Sequence, residues 1–360
     1  MSFPFLQPYF GLGSGLQTKN AAGGGGGGIG GWVELARTTL GSASSTIDVT
    51  SLPNKRYYMI LYNSVGRSAD SSSPGMRFNS DSGSTYAWRG SRNGGVDATG
   101  GSNTYLASSY TQDSSDQLQV SYIANYSTKE KLSITHAIQQ NTAGAANAPH
   151  RSENVSKWAN TSNSISTISA YTGSADTFGA NSQVIVLGWD PADTHTTNFW
   201  TELASTTLSS TASTINSGTF TAKKYLWIQV FQKSTVNGQN TFILFNGDTG
   251  ATGASRNYSP VDGEVTVTSR TEGGFIAHTA STEGAGNRFF NIFVVNVSNK
   301  EKLGIHHVIF SQSAGAGNAP GRGEGVFKWA NTSNQITSLS ITGGTNQFGS
   351  GSILKVWGSD

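Results

Sequence analysis

Two stretches, Lys157-Trp-Ala-Asn-Thr-Ser-Asn163 and Lys328-Trp-Ala-Asn-Thr-Ser-Asn334, are identical residue for residue and lie in different halves of the 360-residue chain. Working outward from them, the surrounding blocks also recur in the same order. Trp32-Val-Glu-Leu-Ala-Arg-Thr-Thr-Leu40 returns as Trp200-Thr-Glu-Leu-Ala-Ser-Thr-Thr-Leu208, and Phe78-Asn-Ser-Asp-Ser-Gly83 returns as Phe245-Asn-Gly-Asp-Thr-Gly250. Lys129-Glu-Lys-Leu132 returns as Lys300-Glu-Lys-Leu303. Collinear blocks of this kind mark an internal duplication, and each copy, at roughly 160 residues, is long enough to bury its own core.

Periodicity sets the fold class. Leu132-Ser-Ile-Thr-His-Ala-Ile138 and Val265-Thr-Val-Thr268 alternate apolar and polar residues with period two, the pattern of a half-buried strand. Tyr57 to Tyr62, Val184 to Leu187 and Phe289 to Val297 are more continuously apolar, which predicts central strands covered on both faces. Long helical windows are missing, and Asn, Asp and Gly clusters such as Asn79 to Gly83 supply turns. The expectation is an all-β chain of two tandem homologous β-sandwich or jelly-roll domains with about eight strands each. The predicted boundaries are an N-terminal anchor and Gly-rich tether at 1–31, a first domain at 32–190, a linker at 191–199 and a second domain at 200–360.

Composition narrows the function classes. Cysteine is absent, which excludes disulfides, thiolate metal sites and thiol catalysis. The net charge of +2 comes from 23 basic and 21 acidic residues that are scattered, so no stripe for nucleic acid is expected. No window is apolar for long enough to make a transmembrane helix. Only 12% of residues are charged while 45 are glycine, giving a polar but weakly charged surface. Six consecutive glycines, Gly23 to Gly28, form a flexible tether, and Phe3, Phe5, Leu6, Tyr9 and Phe10 at its end are the candidate partner anchor; folding back on the first domain is their alternative role.

The reactive residue types do not assemble into a recognisable motif. The six histidines, His136, His150, His195, His278, His306 and His307, fall in no metal or triad spacing, although His136 aligns with His307. Asn79-x-Asp81-x-Gly83 and its counterpart Asn246-x-Asp248-x-Gly250 offer half of a calcium loop and read better as a hairpin turn. Glu153 and Glu324 recur ahead of the Trp158 and Trp329 segments, and Glu34 and Glu202 are a second duplicated pair. A duplicated acid pair for glycoside hydrolysis is disfavoured in so uncharged a chain. Trp158 and Trp329 are expected as core plugs rather than sugar platforms. Asn160-Thr-Ser162 and Asn331-Thr-Ser333 match the glycosylation pattern by composition alone. No catalytic residue, cofactor site or metal site is therefore expected.

The tandem blocks opening Trp-x-Glu-Leu-Ala-x-Thr-x-Leu (Trp32 to Leu40, Trp200 to Leu208), carrying Lys-Trp-x-Asn-Thr-Ser-x-x-Ile (Lys157 to Ile165, Lys328 to Ile336) and closing on Gly-x-Asp (Gly188 to Asp190, Gly358 to Asp360) resemble tandem-repeat β-sandwich virion structural proteins of phages and marine viruses. The resemblance implies a non-enzymatic component displayed on the particle surface, as a capsid decoration protein, fibre or spike, anchored by its N-terminal segment to other virion proteins of the capsid or tail. It also implies a homo-oligomer, with a trimer among the closed forms. A double jelly-roll major capsid protein is a narrower variant that the glycine tether argues against. The competing class is a carbohydrate-binding, adhesin-like module whose paired sandwiches contact host-surface glycans.

Overall fold

The structure, a computed structural model, describes residues 31–69, 74–107, 114–172, 176–193, 197–236, 240–259, 263–271, 274–277, 286–311, 316 and 319–360. The candidate anchor residues Phe3, Phe5, Leu6, Tyr9 and Phe10 and the glycine run lie outside the described residues, as do His195 and His278. Every regular element among the described residues is a strand.

The first repeat contains Val33–Thr39 (β1), Thr46–Val49 (β2), Tyr57–Ser64 (β3), Gly75–Phe78 (β4), Tyr86–Arg92 (β5) and Ala98–Asn103 (β6). It continues with Leu106–Ala107 (β7), Gln117–Ala124 (β8), Lys131–Gln139 (β9), His150–Trp158 (β10), Ile168–Tyr171 (β11) and Gln183–Trp189 (β12). The second repeat contains Thr201–Thr207 (β13), Thr214–Thr219 (β14), Tyr225–Gln232 (β15), Thr241–Phe245 (β16), Gly253–Ser259 (β17) and Gly263–Arg270 (β18). Gly274–Ala277 (β19), Arg288–Val295 (β20), Lys302–Phe310 (β21), Gly321–Trp329 (β22), Ser338–Thr342 (β23) and Ile353–Ser359 (β24) complete it.

In each repeat eight strands form one antiparallel sheet and four short ones form a second. The orders are β1-β12-β3-β8-β9-β10-β5-β6 with β2-β11-β4-β7, and β13-β24-β15-β20-β21-β22-β17-β18 with β14-β23-β16-β19. Strand for strand the two orders are the same, so the duplication read from the sequence is a duplication of topology. Even the irregularities recur, with register shifts at Glu34/Ala36 and at Glu202/Ala204. The expected eight strands per copy become twelve, because the small sheet is built from four- to six-residue and shorter strands rich in Ser, Thr and Gly.

The alternation of side chains across each pleat explains where the core sits. Tyr58, Ile60 and Tyr62 on β3 and Val184 and Val186 on β12 point inward to the core between the two sheets of the first repeat. Leu226, Ile228 and Val230 on β15 and Phe290, Ile292 and Val294 on β20 do the same in the second. The residues between them point to the opposite face. There Met59, Leu61, Ile185 and Leu187 join Trp227, Phe293 and Val295 of the second repeat in a third apolar cluster that spans both repeats. The continuous apolar runs of the central strands therefore have both faces covered, one by the small sheet and one by the other repeat.

Trp158 and Trp329 are buried core plugs, as expected. Each indole Nε1–H donates to a turn carboxylate, Asp81 Oδ2 or Asp248 Oδ2, at 2.7 Å in both repeats. The same carboxylates accept from the backbone N–H of Gly83 or Gly250 and from the hydroxyl of Thr85 or Thr252. Asn79 and Asn246 open these turns at φ of 52° and 51°, a left-handed conformation that asparagine tolerates. Burial opposes ionisation of Asp81 and Asp248, but the hydrogen bonds from tryptophan, glycine and threonine outweigh it and hold both below the usual carboxylate range. With their oxygens committed to N–H and O–H donors, the two aspartates lock a turn to the core. Replacing Trp329 with Phe keeps most of the ring packing but removes the donor to Asp248. A loss of about 1–2 kcal/mol is expected, read as a lower urea midpoint at unchanged m-value.

Candidate functional site

The contact between the repeats is the feature that concentrates unusual chemistry. It is formed by the outer faces of the two eight-stranded sheets. Its apolar part joins Leu118, Val120, Ile138, Ile185 and Leu187 of the first repeat to Tyr225, Trp227, Phe293, Leu303, Ile305 and Val326 of the second. Trp227 stacks on Phe293 at 5.4 Å and 15°, and Trp200, which opens the second repeat, meets Trp227 edge-on at 5.5 Å. Phe199 N–H, at the end of the linker, donates to Trp32 O.

Equivalent residues are not equally covered. Leu303, Ile305 and Val326 are 1%, 3% and 1% exposed, whereas their counterparts Leu132, Ile134 and Val155 in the first repeat are 56%, 51% and 50% exposed. The reverse holds at the other end of the sheets, where Ile138 is 0% exposed and its counterpart Ile309 is 50% exposed. A two-fold contact would bury both members of each pair alike. The contact instead lies toward the Ile138 end of the first repeat's sheet and the Leu303 end of the second's, where Lys328 reaches Gln140 O and Thr142 O.

The polar part of the contact centres on Arg151, whose side chain is buried. Its Nη1 donates to Glu153 Oε1 at 2.6 Å and to Glu324 Oε1 at 3.1 Å, and its Nη2 donates to Glu264 Oε2 at 2.8 Å. Arg322 and Arg256 approach this group from the rim, at 3.6 Å from Glu324 and 3.8 Å from Glu264. Beside it His136 and His307 face each other, with His136 Nδ1 3.1 Å from His307 Nε2. Strand pairing places Glu153 opposite His136 and Glu324 opposite His307. His136, Glu153 and His307 offer ligand atoms within 4.8 Å of one another, so these three could hold a metal ion.

Burial sets the protonation states. It pushes His136 down to about 4, helped by the Arg151 charge, and holds His307 and His306 well below the usual histidine value. Burial opposes the charge of Arg151, but Glu153, Glu264 and Glu324 together keep it protonated with a raised pKa. Glu153 is raised, by burial first and by the neighbouring Glu324 after the pull of Arg151. Glu324, for which burial is outweighed by the hydrogen bond from Glu153 and by Arg151, is lowered. The two carboxyls are thus shifted in opposite directions across the repeat boundary.

Further contacts tie the repeats together around this centre. Lys328 is fully buried and donates to Gln140 O at 3.1 Å and Thr142 O at 2.6 Å, while Glu301 accepts from Gly144 N–H at 2.5 Å. Lys300 pairs with Asp116 at 3.2 Å. Lys157, the counterpart of Lys328, is instead exposed beside Glu130.

The other residues singled out by sequence are accounted for elsewhere. His150 Nε2 lies 3.2 Å from Arg92 Nη2 and its Nδ1 3.0 Å from the Asn93 amide, and His306 is hydrogen-bonded to Asn257. Glu34 and Glu202 pair with Arg37 and Lys355 at the surface. The Asn160 and Asn331 side chains accept from the backbone two and three residues on, as turn formers. Between the sheets of the first repeat a cavity of about 10 Å³ is lined by Met76, Phe78, Gln119, Ser121 and Thr135, among others, with room for about one water. Sequence reasoning placed His136 and His307 in register but did not bring them together. The one available signal was that a histidine and a glutamate recur at matching positions in both copies.

No protein-family model matches the chain, and no curated protein does. Among solved structures it is similar to domains LG4-5 of the mouse laminin α1 chain, at 9% identity over 91% of this chain and 90% of that one, with a TM-score of 0.18. It is similar to an engineered GH43 glycoside hydrolase at 10% identity over 67% of this chain and 51% of that one, TM-score 0.22. For the STIV MCP the identity is 9% over 92% and 96% of the two chains, TM-score 0.18. Scores of this size carry no argument for function. The class the chain's own residues define is a two-repeat, four-sheet β-sandwich protein with a buried ionic centre between the repeats.

Two predictions follow from the centre's electrostatics. Arg151→Met removes the cation from three clustered carboxylates and is expected to cost about 3–5 kcal/mol at neutral pH, with partial recovery on acidification, read by denaturant melts. The pH dependence has two arms. The depressed histidines contribute stability above their ordinary value of 6.5 that is lost as pH falls through it, because only the unfolded chain takes up protons. The raised Glu153 contributes stability below its ordinary value of 4.5 that is lost as pH rises. Three histidines outweigh one glutamate between those values, and above them the glutamate acts without opposition from the three. Thermal midpoints in chelator-containing buffer between pH 4.5 and 8 are expected to peak at about pH 6.5. Glu153→Gln is expected to make the alkaline decline shallower and leave the acid decline in place.

Proposed function

We propose that this protein is a non-enzymatic structural component of a virion, displayed on the particle surface, whose copies join end to end through the same contact that joins its repeats. The observation that carries the assembly is the apolar stripe Leu132, Ile134 and Val155, bare in the first repeat although its counterpart in the second is buried by a neighbouring sheet. The complementary half-sheet is also open: Phe231 and Ile309 on the second repeat are exposed. A contact that buries equivalent residues unequally is heterologous, so one further copy can cover the bare stripe and leave its own stripe for the next. The chain then forms a ring if the rotation closes and a fibre if it does not.

The virion setting is supported by the motif resemblance, the cysteine-free and weakly charged composition, and the tether with its apolar tip, Phe3 to Phe10. The tether would anchor the array to capsid or tail proteins. Deleting residues 1–31 is expected to abolish incorporation into particles while leaving both repeats folded.

A second reading is favoured by one observation. Tyr57 stacks on Trp189 at 5.4 Å and 22°, with Tyr126 beside it under Arg56. This half-exposed aromatic group at one end of the first repeat is where a host glycan would stack. Glycan binding that is lost in Trp189→Ala would support that reading, and an unchanged binding profile would remove it.

Sedimentation of the full chain over a range of concentrations tests the assembly. Concentration-dependent oligomers are expected, and Leu132→Asp and Ile309→Asp are each expected to give monomers. Each variant keeps one intact half-surface, so mixing the two should give one-to-one dimers and nothing larger. A full chain that stays monomeric at every concentration overturns the proposal. Deleting residues 1–31 then distinguishes a stripe covered by the chain's own leader, in which case the deletion newly oligomerises, from a stripe that binds nothing.

A further inference from the structure

The histidine–glutamate cluster between the repeats is a stronger site than anything the assembly reading uses. On β9 and β10, His136 and Glu153 are directly opposed, and on β21 and β22 so are His307 and Glu324. Directly opposed residues in an antiparallel pair leave the same face of the sheet with their Cβ atoms about 4.5–5.5 Å apart. Each repeat therefore presents one imidazole and one carboxylate from its outer face, and the contact between repeats sets the two pairs against each other.

The geometry suits a shared ion. His136 Nδ1 and His307 Nε2 are 3.1 Å apart, with the rings inclined at 65° and their centroids 4.1 Å apart. Two nitrogens bound to one tetrahedral zinc at about 2.0–2.1 Å stand about 3.3 Å from each other. A Glu153 oxygen lies within 4.8 Å of both nitrogens, so small rotamer changes bring all three donors onto one centre. Arg151 occupies Oε1 of Glu153 and Oε1 of Glu324, orienting both carboxylates toward the histidines as an outer partner.

We propose that His136, His307 and Glu153 bind a divalent transition-metal cation, zinc by the donor set, with Glu324 in the fourth position. Two imidazoles with carboxylates suit zinc and its first-row neighbours, whereas calcium and magnesium take oxygen donors alone. With Glu324 turned onto the ion, all four positions would be filled by protein, the arrangement of a structural rather than a catalytic ion. Two ligands would then come from each repeat, so the ion would staple the repeats in the observed register. Nothing in this requires the chain to assemble or to belong to a virion.

Full-length protein stripped with chelator and dialysed is titrated with cobalt(II), followed by visible absorption, and with zinc chloride, followed by calorimetry and thermal melts. One ion per chain is expected, with the intense visible bands of tetrahedral cobalt and a raised melting midpoint. His136→Ala and His307→Ala are each expected to lose the cobalt bands and the zinc-dependent rise. His150→Ala, which alters a histidine outside the cluster, should keep both. Because an alanine variant can fail for lack of folding, the far-UV spectrum of each stripped variant is compared with the parent, and His136→Gln serves where alanine unfolds. Substoichiometric binding, octahedral cobalt spectra, or one tight ion retained in the double histidine variant would overturn the proposal.

Discussion

A sheet that is apolar on both faces must be covered twice, and the rest of this structure follows from that requirement. The strands at the middle of each large sheet carry large apolar residues at successive positions, as in Met59-Ile60-Leu61 or Phe293-Val294-Val295. Burying a Leu, Ile or Phe side chain is worth about 1.5–3 kcal/mol, so leaving either face wet would forfeit most of the drive to fold. The four-stranded sheet closes one face and forms the core anchored by Trp158 or Trp329. The second cover cannot come from the same repeat. It comes from the other copy, which makes the duplication a condition of stability as well as a gain in size.

Because the mutual cover buries equivalent positions unequally, identical residues acquire different roles. Lys157 pairs with Glu130 at the surface, while Lys328 is buried against backbone carbonyls of the first repeat. Arg151 is enclosed by three carboxylates, while Arg322 stays largely at the rim. Leu132 and Leu303 are the same residue at the same strand position, one exposed and one in the middle of the contact. Two copies of one side chain set thus give one filled and one open half-surface. The exposed leucine and isoleucine remain apolar at positions where solvent alone would not require it.

Period-two patterns and the repeated Trp-Ala-Asn-Thr-Ser segment were sufficient to read the duplication, the all-β class and the tryptophan plugs, because local alternation and burial of large rings are written in short segments. The continuous apolar runs at Tyr57 to Tyr62, Val184 to Leu187 and Phe289 to Val297 also announced sheets covered on both sides. Ile168–Tyr171 and Leu106–Ala107 were not legible as strands, since two to four residues hold no period and their pairing energy comes from neighbours distant in sequence. The ionic centre was harder still. His136 and Glu153 meet only through β9–β10 pairing, and His307 meets His136 across 171 positions through a contact no local pattern encodes. Matching positions in both copies indicated which residues to watch but not that the contact between the repeats would bring the two sets together.

The ionic centre bears on why the repeats settle in one register. An apolar contact between two flat sheet faces tolerates sliding, because Leu118, Val120 and Ile138 can pack on many aliphatic partners. A buried guanidinium does not. Moved along its strands by a residue or two, Arg151 would lose Glu324 and Glu264 from the second repeat, and each carboxylate left uncompensated in the contact would be penalised. Apolar replacements at the same positions could well give equal or greater stability, so the ion pairs are poorly explained as a source of binding energy. They act as the registry device, penalising every alignment except the observed one. That alignment is also the one that leaves Leu132 and Ile309 bare.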